Sequence, residues 1–201
     1  MSPRRSAAAA QETRDSIVDN AISMGSLDGL ESLSFGRVAD AVQLSKSGVI
    51  RHFATKEELQ LATLNAARER FRLAIWAPVA DEQPGLVRLR AVMTAWLDYL
   101  QSCPLPGGCL VTAAATEFDS RPGAVRDAVL ADAALWRSVL QRDIEIASRT
   151  GELPADVDAA QMVFELGGIA LAVNQAAQLH EDHGAAARGG TAVDRILVPR
   201  A

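Results

Sequence analysis

Residues 34–59 read SFGRVADAVQLSKSGVIRHFATKEEL, and the rest of the chain is read outward from this stretch. Ser34 has the side chain of a helix N-cap, and Phe35, Val38, Ala39 and Val42 recur at helical spacing behind it. Gln43-Leu44 leaves room only for a tight connection before Ser45, the next N-cap candidate. A second short helix is expected from Lys46 to His52. Thr55 and Glu58 then form a Thr-x-x-Glu capping box for a longer helix from Lys56 to about Trp76. Two short helices joined by a tight turn form the helix-turn-helix layout, whose second helix presents its side chains outward.

Upstream, a helix from Thr13 to Leu27 is expected, capped by Thr13, with Ile17, Ala21 and Met24 on one face and Gly29 as its breaker. Residues 1–11 read as a disordered arm, too poor in apolar residues for a signal peptide. Downstream, Pro78, Pro84 and Gly85 interrupt the chain before a helix over 86–101. Residues 103–108, CPLPGG, exclude regular structure, and a short helix follows over 109–118. Asp119 or Ser120 is the expected cap of a long helix with Pro122 in its first turn, ending near Thr150 at Gly151. A last long helix is expected from Val157 to His180, then a flexible 184–190 and a terminal turn over 191–198. Runs with period-two alternation are missing from the sequence, so the fold class is all-α. The expected organisation is a three-helix helix-turn-helix domain over residues 1–55 and a helical ligand-binding and dimerisation domain over 56–201.

The 201 residues are 49% apolar but only 4% aromatic, which calls for a core of Ala, Leu, Val and Ile. An apolar run of membrane-spanning length, about 18 residues, is absent from the sequence. Two cysteines, Cys103 and Cys109, fit a reducing cytoplasm better than a disulfide scaffold, and no basic neighbour prepares either for a redox role. The net charge of −5 is unevenly spread. Residues 1–57 hold seven Lys/Arg against seven Asp/Glu, and the remainder thirteen against eighteen. The two lysines, Lys46 and Lys56, both fall in the N-terminal segment. That pattern fits a local phosphate-contacting surface on an acidic protein.

This segment resembles the TetR family of regulators through Ala39, Leu44-Ser45, Lys46-Ser47-Gly48-Val49-Ile50-Arg51, His52-Phe53 and Lys56-Glu57-Glu58-Leu59. The turn glycine common in that family is Gln43 here, and its phosphate-contacting tyrosine is Ile50, beside Arg51. The resemblance implies a homodimer on a double-stranded operator, with repression relieved by a small molecule. By position, Lys46, Ser47 and Gly48 would face bases, and His52 and Lys56 phosphates. Ser34 and Ser45 stand at helix starts whose amides suit phosphate oxygens, and Arg37, Ile50 and Arg51 complete the expected surface. A protein of this fold that has lost DNA binding is the other reading, prompted by Gln43 and Ile50.

For the effector, an apolar or aromatic molecule, the candidate residues are Phe71, Trp96, Tyr99, Cys109, Thr112, Trp136 and Asn174. Trp76, Trp96 and Trp136 fall on three different expected helices. Glu117 is expected to pair with Arg121, one turn on. The two last long helices carry apolar surface too wide for a single buried face, with Gly167-Gly168 permitting close approach of another backbone, as a dimer interface requires. The sequence shows no nucleophile elbow, phosphate loop or metal motif, so no catalytic residue, metal or cofactor is expected.

Overall fold

The computed structural model describes residues 3–198. It is all-α. The helices are α1 (Pro3–Asp28), α2 (Phe35–Ala41), α3 (Lys46–Ile50), α4 (Lys56–Ile75), α5 (Leu86–Gln101), α6 (Leu110–Glu117), α7 (Ala124–Arg149), α8 (Ala159–Leu179) and α9 (Ala185–Ile196). Short 3-10 turns occupy Leu30–Ser32 and Ala77–Val79. The chain forms two compact units. Of the described residues, the first holds those up to 69 and 105–129, and the second 70–104 and those from 130 onward. Helices α4 and α7 are each divided between the two.

The expected helix starts are met where side-chain caps operate locally. Ser34 accepts the Arg37 amide and Ser45 the Gly48 amide at 3.1 Å. The last long helix starts at Ala159 instead of Val157, where Asp158 accepts the Gln161 amide at 3.0 Å. At α4, Thr55 accepts the Glu58 amide at 3.1 Å while Glu58 reaches back to the Ala54 amide at 2.8 Å. Gly29 (φ 85°) follows α1, and Gly151 (φ 78°) follows α7, where the Glu152 amide closes on the Ala147 carbonyl at 2.8 Å.

Three further expectations are corrected. Helix α1 starts at Pro3, so from there on the segment read as an arm is helical, Met1 and Ser2 lying outside the described residues. The Ala7–Ala10 run is the best of helix formers, and Thr13 donates to the Ala9 carbonyl at 2.9 Å inside the helix instead of capping it. Helix α7 begins at Ala124, past Pro122, because Gly123 (φ 140°) lies outside helical space. The supposedly flexible 184–190 supplies the N-cap Gly184 and the first half of α9. A Cβ on Gly189 would stand 2.5 Å from Val173 and 3.1 Å from Leu97, so that glycine serves close packing onto α8 and α5.

The core of the first unit joins Ile17, Ala21 and Ile22 of α1 to Val38 and Ala39 of α2, Val49 of α3, Phe53, Leu59 and Leu64 near α4, and Leu110 and Ala114 of α6. In the second unit Leu89, Val92, Met93, Leu97 and Leu100 of α5 are buried, as are Leu140 and Ile144 of α7 and Leu166 and Ala170 of α8. On α5, Leu97 is buried and its neighbour Trp96 is half-buried. An ion pair lies in this interior. The Arg88 guanidinium grips Asp143 with two bonds of 2.6 and 2.9 Å, and Asp143 is 1% exposed. Burial works against the charged guanidinium, but the Asp143 bond outweighs it and holds the Arg88 pKa above its ordinary value. Truncating one partner strands the other charge. Asp143→Ala should therefore cost about 3–5 kcal/mol in urea unfolding, whereas joint replacement of Arg88 and Asp143 by apolar residues should cost much less.

Candidate DNA-contacting surface and ligand-binding residues

Helix α3 has only five residues, so its outer face is set by what it buries. Val49 and Phe53 are fully buried. Lys46, Ser47, Ile50 and Arg51 consequently face solvent, with Gly48 and His52 half-buried beside them. Ser45 is tied into the helix start, 3.0 Å from the Ser47 hydroxyl. The link from α2 takes a left-handed residue at Gln43 (φ 56°), where the Leu44 amide bonds the Ala39 carbonyl at 2.9 Å. A side chain in that region costs about 1 kcal/mol relative to glycine, which the surrounding core absorbs.

The neighbouring cations are already engaged. Arg37, on α2, pairs with Asp28 and donates to the Ser32 carbonyl at 3.2 Å. The Lys56 ammonium contacts both the backbone carbonyl of Glu31 and its carboxylate, the latter at 2.8 Å. Gln60, 5% exposed, donates to the other Glu31 oxygen at 3.0 Å and to the Leu30 carbonyl at 3.0 Å. The Lys56 and Gln60 hydrogen bonds hold the Glu31 carboxyl below its usual pKa, against a smaller opposing effect of burial. Arg14 stands over the Phe53 ring at 4.1 Å and donates to the His52 carbonyl, bracing the end of α3 from α1. Sequence reasoning missed Arg14 and Glu31, because each acts on a residue more than twenty positions away.

Of the ligand candidates, the second unit brings together Phe71, Trp96, Tyr99 and Trp136. The Phe71 ring meets the other three edge-to-face at centroid distances of 5.3–6.4 Å, and Trp96 meets Trp136 at 5.2 Å. The four rings thus form one edge-to-face cluster. The Trp96 and Trp136 indole nitrogens and the Asn174 amide oxygen are buried without hydrogen-bond partners. Trp76 lies apart from that cluster, under the Arg88 guanidinium at 5.1 Å. Cys109, buried, and Thr112 belong to the first unit with α6. Neither Cys103 nor Cys109 forms a disulfide. Glu117 takes backbone amides of Leu30 and Glu31 as partners instead of Arg121, whose guanidinium lies over the Phe118 ring.

Comparison with known proteins places this arrangement. Residues 17–63 match the family described as bacterial regulatory proteins, tetR family, and residues 85–193 match the tetracyclin repressor-like C-terminal domain. The chain belongs to the TetR family. Its members are regulators and not enzymes. Over 74 residues the chain is 32% identical to the HTH-type transcriptional regulator TcmR of Streptomyces glaucescens, a match spanning 37% of this chain and 33% of that protein. A TetR-family regulator from Streptomyces coelicolor is 25% identical, with a TM-score of 0.77 over 98% of this chain and 95% of its own. The fold also matches a TetR regulator from Chloroflexus aurantiacus (TM-score 0.84, 24% identity, 94% of each chain). Another match is AibR, solved with isovaleryl coenzyme A and operator DNA (TM-score 0.78, 21% identity, 93% of this chain and 99% of that one). Among the described residues no helix is long and apolar enough to cross a membrane.

The depressed Glu31 pKa has a measurable consequence. A carboxyl whose folded pKa lies below its unfolded value contributes stability above the unfolded value, about 4.3, and loses it as pH falls through the folded one. Unfolding midpoints of the wild type should drop through this acid range, and Glu31→Gln should give a shallower acid limb.

Proposed function

We propose that the protein is a transcriptional repressor that binds an operator duplex as a homodimer and releases it on binding a small apolar or aromatic molecule. The observation that carries this reading is the outer face of α3. Lys46, Ser47, Ile50 and Arg51 stand out from a helix whose other residues serve to hold it in place. A lysine at the helix start can reach guanine O6 and N7, and Gly48 lets the backbone approach the groove floor. Ser34, Arg37, Ser45, His52 and Lys56 are assigned to the phosphate side, with Lys56 exchanging Glu31 for a phosphate oxygen. AibR, of like fold, holds an operator and an acyl-coenzyme A, and so supports a pairing of duplex and effector.

Dimerisation is assigned to α7 and α8. Leu130 and Leu135 on α7 and Phe164, Leu171 and Leu179 on α8 are all exposed, Phe164 by 76%. Phe164, Gly168, Leu171, Gln175 and Leu179 follow one face of α8, and burying them against a second copy removes a large apolar patch from water. Such an interface should bury about 1,200–2,000 Å² or more. Sedimentation should show a dimer at micromolar concentration, and Phe164→Glu with Leu171→Glu should give monomers that remain helical. A wild-type monomer would overturn the assignment.

Effector binding is assigned to the aromatic cluster of Phe71, Trp96, Tyr99 and Trp136 in the second unit, with Asn174 as a further contact. Selecting bound fragments from a random duplex pool tests the whole reading. Near-palindromic sequences with half-sites about 34–36 Å apart are expected. On the selected duplex, Lys46→Ala should cost about 1–3 kcal/mol and relax base preference. Lys56→Ala should weaken all duplexes alike and flatten the salt slope by about 1. The reverse pattern would exchange the two roles.

A further inference from the structure

Helix α6 ends in Glu117, whose carboxylate leaves its own helix. One oxygen accepts the Leu30 amide at 2.8 Å and the other the Glu31 amide at 2.9 Å. These are the first two amides of the 3-10 turn Leu30–Ser32, which has no side-chain cap of its own because Gly29 precedes it. A residue more than eighty positions away therefore supplies the cap, as an anion on two N–H donors. Gly29 makes this possible twice over. It takes φ 85°, and a Cβ there would stand 2.7 Å from a Glu117 oxygen.

The capped turn connects directly to the DNA-reading helices. Leu33 is fully buried just beyond it, and Ser34 caps α2 next. The side chain of Glu31, whose amide Glu117 holds, in turn grips Lys56 and Gln60 at the start of α4. Two carboxylates in series thus tie the end of α6, the entry to α2 and the first turn of α4.

We infer that Glu117 is a positioning residue for DNA recognition: it fixes the turn from which α2 and α3 are hung, and it makes the α6 terminus the fastening point of the helix-turn-helix. The inference rests on the proposed DNA binding. A purely stabilising cap would lower the melting temperature and leave the duplex affinity of folded protein unchanged, whereas a positioning residue sets that affinity.

The test uses full-length Glu117→Ala and Glu117→Gln with the duplex that the wild type selects from a random pool, at a temperature where each variant is folded. Glu117→Ala should lose about tenfold or more in affinity. Its Leu30 and Glu31 amides should exchange hydrogen faster, with the oligomeric state unchanged. Glu117→Gln keeps one acceptor oxygen and should fall between. If Glu117→Ala proves unstable, Glu117→Gln decides alone. Wild-type affinity in the variants, or a loss that follows only their unfolded fraction, would overturn the inference. A wild type that selects no duplex would instead overturn the DNA-binding reading itself, and this inference with it.

Discussion

A five-residue helix cannot hold itself in water. It closes almost no internal hydrogen bonds against the entropy of ordering its backbone. Helix α3 exists because Val49 and Phe53 are drawn into a core made by α1, α2 and α4, and because Ser45 closes its first turn. Burial on one side leaves the opposite side free for contact, so the exposure of Lys46, Ser47, Ile50 and Arg51 follows from the depth of Val49. Small size at the crossing serves the same end. Ala39, 2% exposed, leaves room for the Gln43-Leu44 link to turn back onto α2.

Much of this was legible in the sequence because the signals were local. Ser34, Ser45 and Thr55 cap helices through amides three positions on, and Gly29 and Gly151 end helices by their own conformations. Where a residue answers to a distant neighbour, the local reading gives a different result. Gly189 looked like a loop glycine and is a contact glycine beneath Val173. Glu117 looked like one half of an i, i+4 pair and is a cap for a turn in another part of the chain. The Ala7–Ala10 run lacked an apolar face and so read as an arm, yet backbone propensity carries α1 through it.

The candidate site divides along the same line. The helix-turn-helix residues lie within one short stretch and could be listed from it, whereas the state of their charges could not. Lys56 was read as free for phosphate, and Glu31 holds it. The aromatic candidates came from four separated positions, and the structure gathers Phe71, Trp96, Tyr99 and Trp136 into contact. Composition could not foretell that these rings would pack edge-to-face on one another, because mutual packing and ligand enclosure use the same residue types.

The scarcity of lysine has a practical side. The chain has two, and the structure gives them unlike surroundings. Lys56 is held by a carboxylate and a carbonyl, while Lys46 is exposed at the head of α3. Amine-reactive reagents compete with protons and hydrogen-bond acceptors for the lone pair of an amine, so Lys46 is the side-chain amine left most open to acylation. A fluorophore attached there by ordinary lysine chemistry would report from the outer face of α3 without an engineered cysteine.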